Sequence, residues 1–191
     1  GIQIVVLRHL HGSLLRGHCA VQPVLRRVAQ SWHGRPHIAY GHAMIVITGA
    51  AGGLGRVVTA RIHADHNVLA MGRKQAQLDT LEVPGRICDV SNEASVAEAF
   101  HGLEGVRGVV HLVGGYTGGV PVWDTDLADL ERMYTLNLRS AFLVVRQGAR
   151  ALRAQGSAGS IVCVGSVSGR TGAAGHSAYA ATKAAVHSLI R

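Results

Sequence analysis

The sequence predicts an α/β fold, a doubly wound parallel sheet with helices on both faces. Two observations carry that prediction. Short apolar runs rich in β-branched residues alternate with helical patterns, and neither an internal repeat nor a low-complexity linker interrupts the alternation. Met44-Ile45-Val46-Ile47-Thr48 is the first such run, continuous as expected of a strand buried on both faces. Gly53 to Asp65 then reads as a helix and Asn67 to Met71 as the second strand. Helical patterns at Lys74 to Leu81 and Asn92 to Phe100 flank a third strand at Arg86 to Cys88, and Gly108 to Val113 is the fourth. From Leu127 the apolar positions Leu127, Leu130, Tyr134, Leu138, Phe142, Val145, Ala149 and Leu152 recur three or four apart, which is one face of a long helix. Asp124, Thr125 and Asp126 stand ready to cap it, and Ser160 to Val164 is the fifth strand.

Composition narrows the function classes. With 191 residues, 48% hydrophobic and 16% charged, the chain is ordinary for one packed domain and lies outside the disordered regime. Its three cysteines, Cys19, Cys88 and Cys163, are far apart and lack a CxxC pair, which argues for a reducing, cytoplasmic setting rather than a disulfide framework or a zinc site. No apolar run approaches the roughly 18 residues of a membrane span.

The net charge of +8 is unevenly spread. Residues 1–43 hold Arg8, Arg16, Arg26, Arg27 and Arg35, six of the twelve histidines and no acid, while from Met44 onward 14 basic residues face 11 acids. The leader therefore reads as a segment apart from the 44–191 domain. Upstream sequence read through from an early start, an organelle transit peptide and a basic arm on phosphates all fit its bias. The histidines show no paired-ligand spacing, so no metal is expected, and Arg without interleaved aromatics argues against nucleic acid as a partner.

Between the first strand and its helix lies Thr48-Gly49-Ala50-Ala51-Gly52-Gly53-Leu54-Gly55. Gly49 permits a tight turn, Gly53 lets backbone approach a pyrophosphate, and Gly55 lets the helix pack closely on the strand, while the helix N-terminus offers free N–H groups. The second strand ends in Met71-Gly72-Arg73-Lys74. NAD sites usually carry a carboxylate there; two cations favour the 2′-phosphate of NADP, with NAD the alternative. Asp89, just past the third strand, either accepts from an adenine amino group or caps the next helix.

Tyr179 and Lys183 are four residues apart, hence on one helix face. A cation stabilises a phenolate, which is what lets a tyrosine act as general acid/base near neutral pH. Ser166, thirteen residues upstream of Tyr179, follows the fifth strand and is available to donate to a substrate carbonyl oxygen.

Together these features resemble the short-chain dehydrogenase/reductase family over essentially all of Met44 to Arg191. The resemblance rests on TGxxxGxG at Thr48 to Gly55, Asp89-Val90, Asn137 in the long helix, Ser166, and Tyr179 with Lys183. It implies a Rossmann-type sheet and a hydride exchanged between NAD(P) and a small carbonyl or secondary alcohol. Tyr179 would be the acid/base, Lys183 would hold the nicotinamide ribose, Ser166 would orient the substrate and Asn137 would support a water in the proton relay.

The chain departs from the family in two places. Where relatives read Asn-Asn-Ala-Gly after the fourth strand, this chain reads His111-Leu112-Val113-Gly114, then Gly115-Tyr116-Thr117-Gly118-Gly119. Gly114 is kept and the amides that brace the sheet in relatives are lost, so either His111 takes over a polar contact or Leu112 and Val113 simply pack; packing with one satisfied, structural His is the favoured reading. The VGGYTGG stretch looks like that of dihydropteridine reductase-like members, which lack the Ser present here. The sequence also stops at Arg191, inside the Tyr179 helix, where relatives continue through further strands and a substrate-covering loop. The expectation is thus a sheet without its C-terminal strands, with an exposed edge. A noncatalytic dinucleotide-binding protein or inactive fragment is the competing reading, and a family-like homo-oligomer is in doubt for the same reason.

Overall fold

The computed structural model describes residues 2–10, 13–19, 43–156 and 158–190, the first two segments by their backbone. Its elements in chain order are β1 (Ile2–Leu10), β2 (Ser13–Cys19), β3 (Met44–Thr48), α1 (Gly53–His63), β4 (Asn67–Gly72), α2 (Gln75–Leu78), β5 (Gly85–Ile87), α3 (Glu93–Phe100), β6 (Val106–His111), α4 (Leu127–Met133), α5 (Ser140–Ala154), β7 (Gly159–Ser166), α6 (Ser168–Thr171) and α7 (Ser177–Leu189). A π-helical turn at Tyr134–Arg139 joins α4 to α5.

Strands β3 to β7 form the predicted parallel sheet, in the order β7-β6-β3-β4-β5. Alternation along β3 sends its side chains into two cores. Val46 packs with Val96, Phe100, Val109 and Val144 on the α3 and α5 face. Ile45 and Ile47 pack with Val58, Ile62 and Leu78 on the α1 and α2 face. Both faces are covered, so the strands read as unbroken apolar runs.

Two expectations are corrected. β1 and β2 form an antiparallel hairpin whose first strand pairs with β7 from Ile2↔Ser166 to His9↔Gly159. Part of the leader therefore adds to the sheet, and the β7 edge expected to be exposed is paired. Residues 20–42, with His33, His37, His42, Arg26, Arg27 and Arg35, lie outside the described residues, as does His11.

The second correction concerns the long helix. Of its apolar stripe Leu127 (66%), Tyr134 (50%) and Phe142 (47%) are largely exposed, whereas Met133, Asn137, Ala141, Val144 and Leu152 face inward. Small residues set that rotation. Gly148 sits where a Cβ would stand 2.9 Å from Val109 Cγ2, so the helix lies close on the sheet along the side that also carries Ala141, Val144 and Leu152.

Candidate active site

β3 stands where the order of strands reverses, with β4 added on one side and β6 on the other. Ligands of open parallel sheets bind outside the strand C-termini at such a point. Here the loop after β3 meets the loop after β6: Leu112 N–H donates to Thr48 C=O at 3.0 Å, and a Cβ on Gly49 would lie 2.9 Å from Val113 Cγ2. Gly49 also has φ +75, which glycine adopts without strain.

The start of α1 is shaped for an anion. Its N-cap, Gly52, supplies no side-chain hydrogen bond, and the first turn carries no acid. A Cβ on Gly55 would fall 2.0 Å from Gly49 C=O, so only glycine lets the helix close on the turn. A Cβ on Gly53 would meet nothing within 4 Å, leaving open space above the helix N-terminus. Open backbone N–H groups at a positive dipole end, with room in front of them, fit a pyrophosphate. Leu54 follows Gly53 in that first turn.

Arg73 and Lys74 follow β4 and are exposed. Asp89 Oδ1 accepts from the Ser91 hydroxyl at 2.7 Å and the Ser91 N–H at 3.0 Å, and these bonds, with a smaller pull from Arg73, hold its carboxyl below the usual range. The cap of α3 falls instead to Asn92, whose side chain accepts from Ser95 N–H at 2.9 Å. Asp89 is therefore not that helix's cap. Val90 beside it is buried.

Farther along the crevice, α7 lies against β7 and the π-helical turn. Lys183 Nζ donates to Val164 C=O at 2.9 Å and stands 6.0 Å from the centroid of the Tyr179 ring. Burial pushes its ammonium down to about 8, opposed by the nearby Cys163. Asn137 is buried in the π turn, a feature frequent at functional sites. Its Oδ1 accepts from Gly115 N–H at 2.9 Å, and its Nδ2 donates to Gly115 C=O and to Thr182 Oγ1, both at 3.1 Å. A Cβ on Gly114 would stand 2.9 Å from Asn137 Oδ1 and 3.2 Å from Lys183 Nζ, so this glycine lets the loop cross the site. Ser166 Oγ accepts from Ser168 N–H at 3.2 Å, which leaves its own hydroxyl proton to donate.

These contacts join Asn137, Gly114 and Lys183 into one cluster with Tyr179 on the same helix face as Lys183. Sequence reasoning missed three supports. Thr182 links Asn137 to α7, Ser140 accepts from His111, and buried His187 Nε2 donates to Ser166 C=O at 3.1 Å. The last had a signal, since His187 continues the four-residue step Tyr179, Lys183. Among the described residues no group of three or more His, Cys, Asp or Glu could hold a metal ion.

A family profile described as short chain dehydrogenase matches residues 43–191. The chain belongs to that family. It is 35% identical over 159 residues to the 2-dehydro-3-deoxy-L-rhamnonate dehydrogenase (NAD(+)) of Sphingomonas sp. (strain SKA58), covering 77% of this chain and 63% of that protein. Levodione reductase superposes with a TM-score of 0.70 at 27% identity, over 77% of this chain and 63% of that one. The closed form of serine dehydrogenase complexed with NADP+ gives 0.68 at 28% identity, over 74% and 61%. This chain thus spans about three fifths of the length of these relatives. Family members bind NAD or NADP: the name of the Sphingomonas relative carries NAD(+), and the serine dehydrogenase structure holds NADP+. No helix among the described residues is long and apolar enough to cross a membrane.

Proposed function

We propose that residues 44–191 form the cofactor cradle and catalytic centre of a nicotinamide-dependent oxidoreductase that interconverts a small carbonyl compound and its secondary alcohol, with NADP as the favoured cofactor. The observation that carries this is the single cluster of Tyr179, Lys183, Asn137 and Gly114 beside the uncapped N-terminus of α1. The glycines at 49, 53 and 55 would hold the pyrophosphate, Arg73 and Lys74 the 2′-phosphate, and Lys183 the nicotinamide ribose. Bound there, a reduced nicotinamide supplies the hydride for carbonyl reduction.

The chain's own groups handle the proton and the oxygen. Ser166 donates its free hydroxyl proton to the carbonyl oxygen and orients it. Tyr179 gives its phenolic proton to that oxygen as negative charge builds there, and takes it back when an alcohol is oxidised. Lys183 holds positive charge beside the Tyr179 ring, on the side of the site where the proton leaves. Asn137 ties the Gly114–Gly115 backbone to α7 and so keeps the loop after β6 in register with the catalytic helix.

The free, buried thiols of Cys88 and Cys163 fit a reducing cytoplasmic setting, with burial pushing Cys163 to about 12 and Cys88 to about 11. Tyr179→Phe tests the reading in the full-length protein. Turnover of carbonyl substrates should fall at least about a hundredfold, the scale of acid/base catalysis, while NADPH binding stays within a factor of two or so. Undiminished turnover would remove the mechanism.

A further inference from the structure

The glycine-rich stretch after Gly114 has a tyrosine at its centre that the catalytic cluster does not use. Tyr116 lies edge-on to Tyr179, ring centroids 5.1 Å apart at 75°, and its ring stands 5.5 Å from that of His176. Its hydroxyl reaches His176 Nδ1 at 3.5 Å. The two loops that carry the pair are joined, because Gly119 N–H donates to Gly175 C=O at 2.8 Å. Gly118 completes the fit: a Cβ there would lie 2.7 Å from the Tyr116 hydroxyl and 3.0 Å from Gly175 C=O.

We propose that Tyr116 and His176 read a second oxygen on the substrate, next to the reacting carbon, so that the site prefers α-oxygenated carbonyl compounds to simple ketones. This rests on the oxidoreductase reading above. A 3.5 Å contact is at the limit of a hydrogen bond, so the phenol and the imidazole satisfy each other poorly. Both groups donate and accept, and Tyr116 is 57% exposed, so each keeps capacity for a ligand oxygen. They stand beside the acid/base that would grip the reacting oxygen, so an oxygen they bind lies close to the reacting carbon. His176 also borders a small crevice with Thr117, Thr125, Ser177 and Asp129. The joined loops hold the pair before substrate arrives, and a site built to hydrogen-bond an oxygen discriminates against the analogue lacking it.

The test uses a matched pair of probes, 3-hydroxybutan-2-one and butan-2-one, with the full-length protein and NADPH. Tyr116→Phe keeps the ring against Tyr179 and removes only the hydroxyl. It should lower kcat/KM for the hydroxyketone roughly tenfold, as for loss of one neutral hydrogen bond, and leave butan-2-one within about twofold. His176→Leu should act in the same direction. An equal loss on both probes, or none on either, overturns the proposal while sparing the oxidoreductase reading. Absence of any Tyr179-dependent turnover of either probe removes both.

Discussion

His111 Nδ1 lies 2.7 Å from Thr48 Oγ1, which ties the ends of β3 and β6 together in the floor of the site. The other ring nitrogen, Nε2, is 3.2 Å from Ser140 Oγ, and that hydroxyl gives its proton to Leu136 C=O at 2.6 Å. Ser140 therefore accepts from His111 Nε2–H, leaving Nδ1 to accept from Thr48. The imidazole is neutral and fully engaged between the sheet and the helix that carries Asn137.

An acid sensitivity follows. Burial, with the nearby Lys183 charge, pushes His111 down to about 3 from its ordinary 6.5. Between these values the unfolded chain binds a proton that the folded one does not, so His111 costs stability as pH falls from 6.5 toward 3. His111→Asn keeps a polar side chain and removes that titration. Its urea midpoint should change less than the wild type's over this window, and parallel curves for the two proteins would refute the assignment.

Lys183 gives a slope of the same sign at the alkaline end. Its folded value of about 8 lies below the ordinary 10.5, so between the two the unfolded chain again holds the extra proton and stability rises with pH. The rise saturates above 10.5 and amounts to on the order of 3 kcal/mol at most. Lys183→Met should show no such gain in thermal melts between pH 8 and 10, and should lack turnover. A variant that keeps the wild-type alkaline slope would show that some other group titrates.

Gly55 makes a steric prediction. Gly55→Ala would press a methyl to 2.0 Å from Gly49 C=O and 2.6 Å from Ala50 C=O, both backbone atoms that cannot swing away. The expected loss is about 3 kcal/mol, the upper part of the usual overpacking range, read as a lowered urea midpoint. Weakened dinucleotide binding should accompany it. Gly53→Ala, with nothing near its Cβ, is the control and should leave the urea midpoint almost unchanged.

The parallel sheet was legible because buried strands must be apolar on both faces, and the juxtaposition of Tyr179 with Lys183 because residues four apart share a helix face. The orientation of the long helix was not. Its stripe from Leu127 to Phe142 has helical period, yet the π-helical turn at Tyr134–Arg139 and the close approach at Gly148 point much of it outward. Nor did the sequence reveal the pairing of β1 with β7, since strand partners distant in sequence leave no local period. His111 was singled out as a departure, but its two hydrogen bonds come from Thr48 and Ser140, 63 and 29 residues away, and only the fold brings them together.

The proposed preference for NADP rests on Arg73. It follows β4, is exposed, and is near enough to Asp89 for its charge to help hold that carboxyl ionised. Asp89 is already occupied by Ser91, so the Arg73 guanidinium has no strong partner claim from it and can fork onto a 2′-phosphate. Arg73→Asp removes that cation and sets a second carboxylate near Asp89, which repels a dianionic phosphate. The Kd for NADPH should rise by roughly tenfold to a hundredfold, the range for a charge-assisted hydrogen bond, while that for NADH changes little. Fluorescence titration of both dinucleotides against both proteins reads this directly. Equal affinity of the unaltered protein for NADPH and NADH would undo the NADP assignment, whatever the variant does.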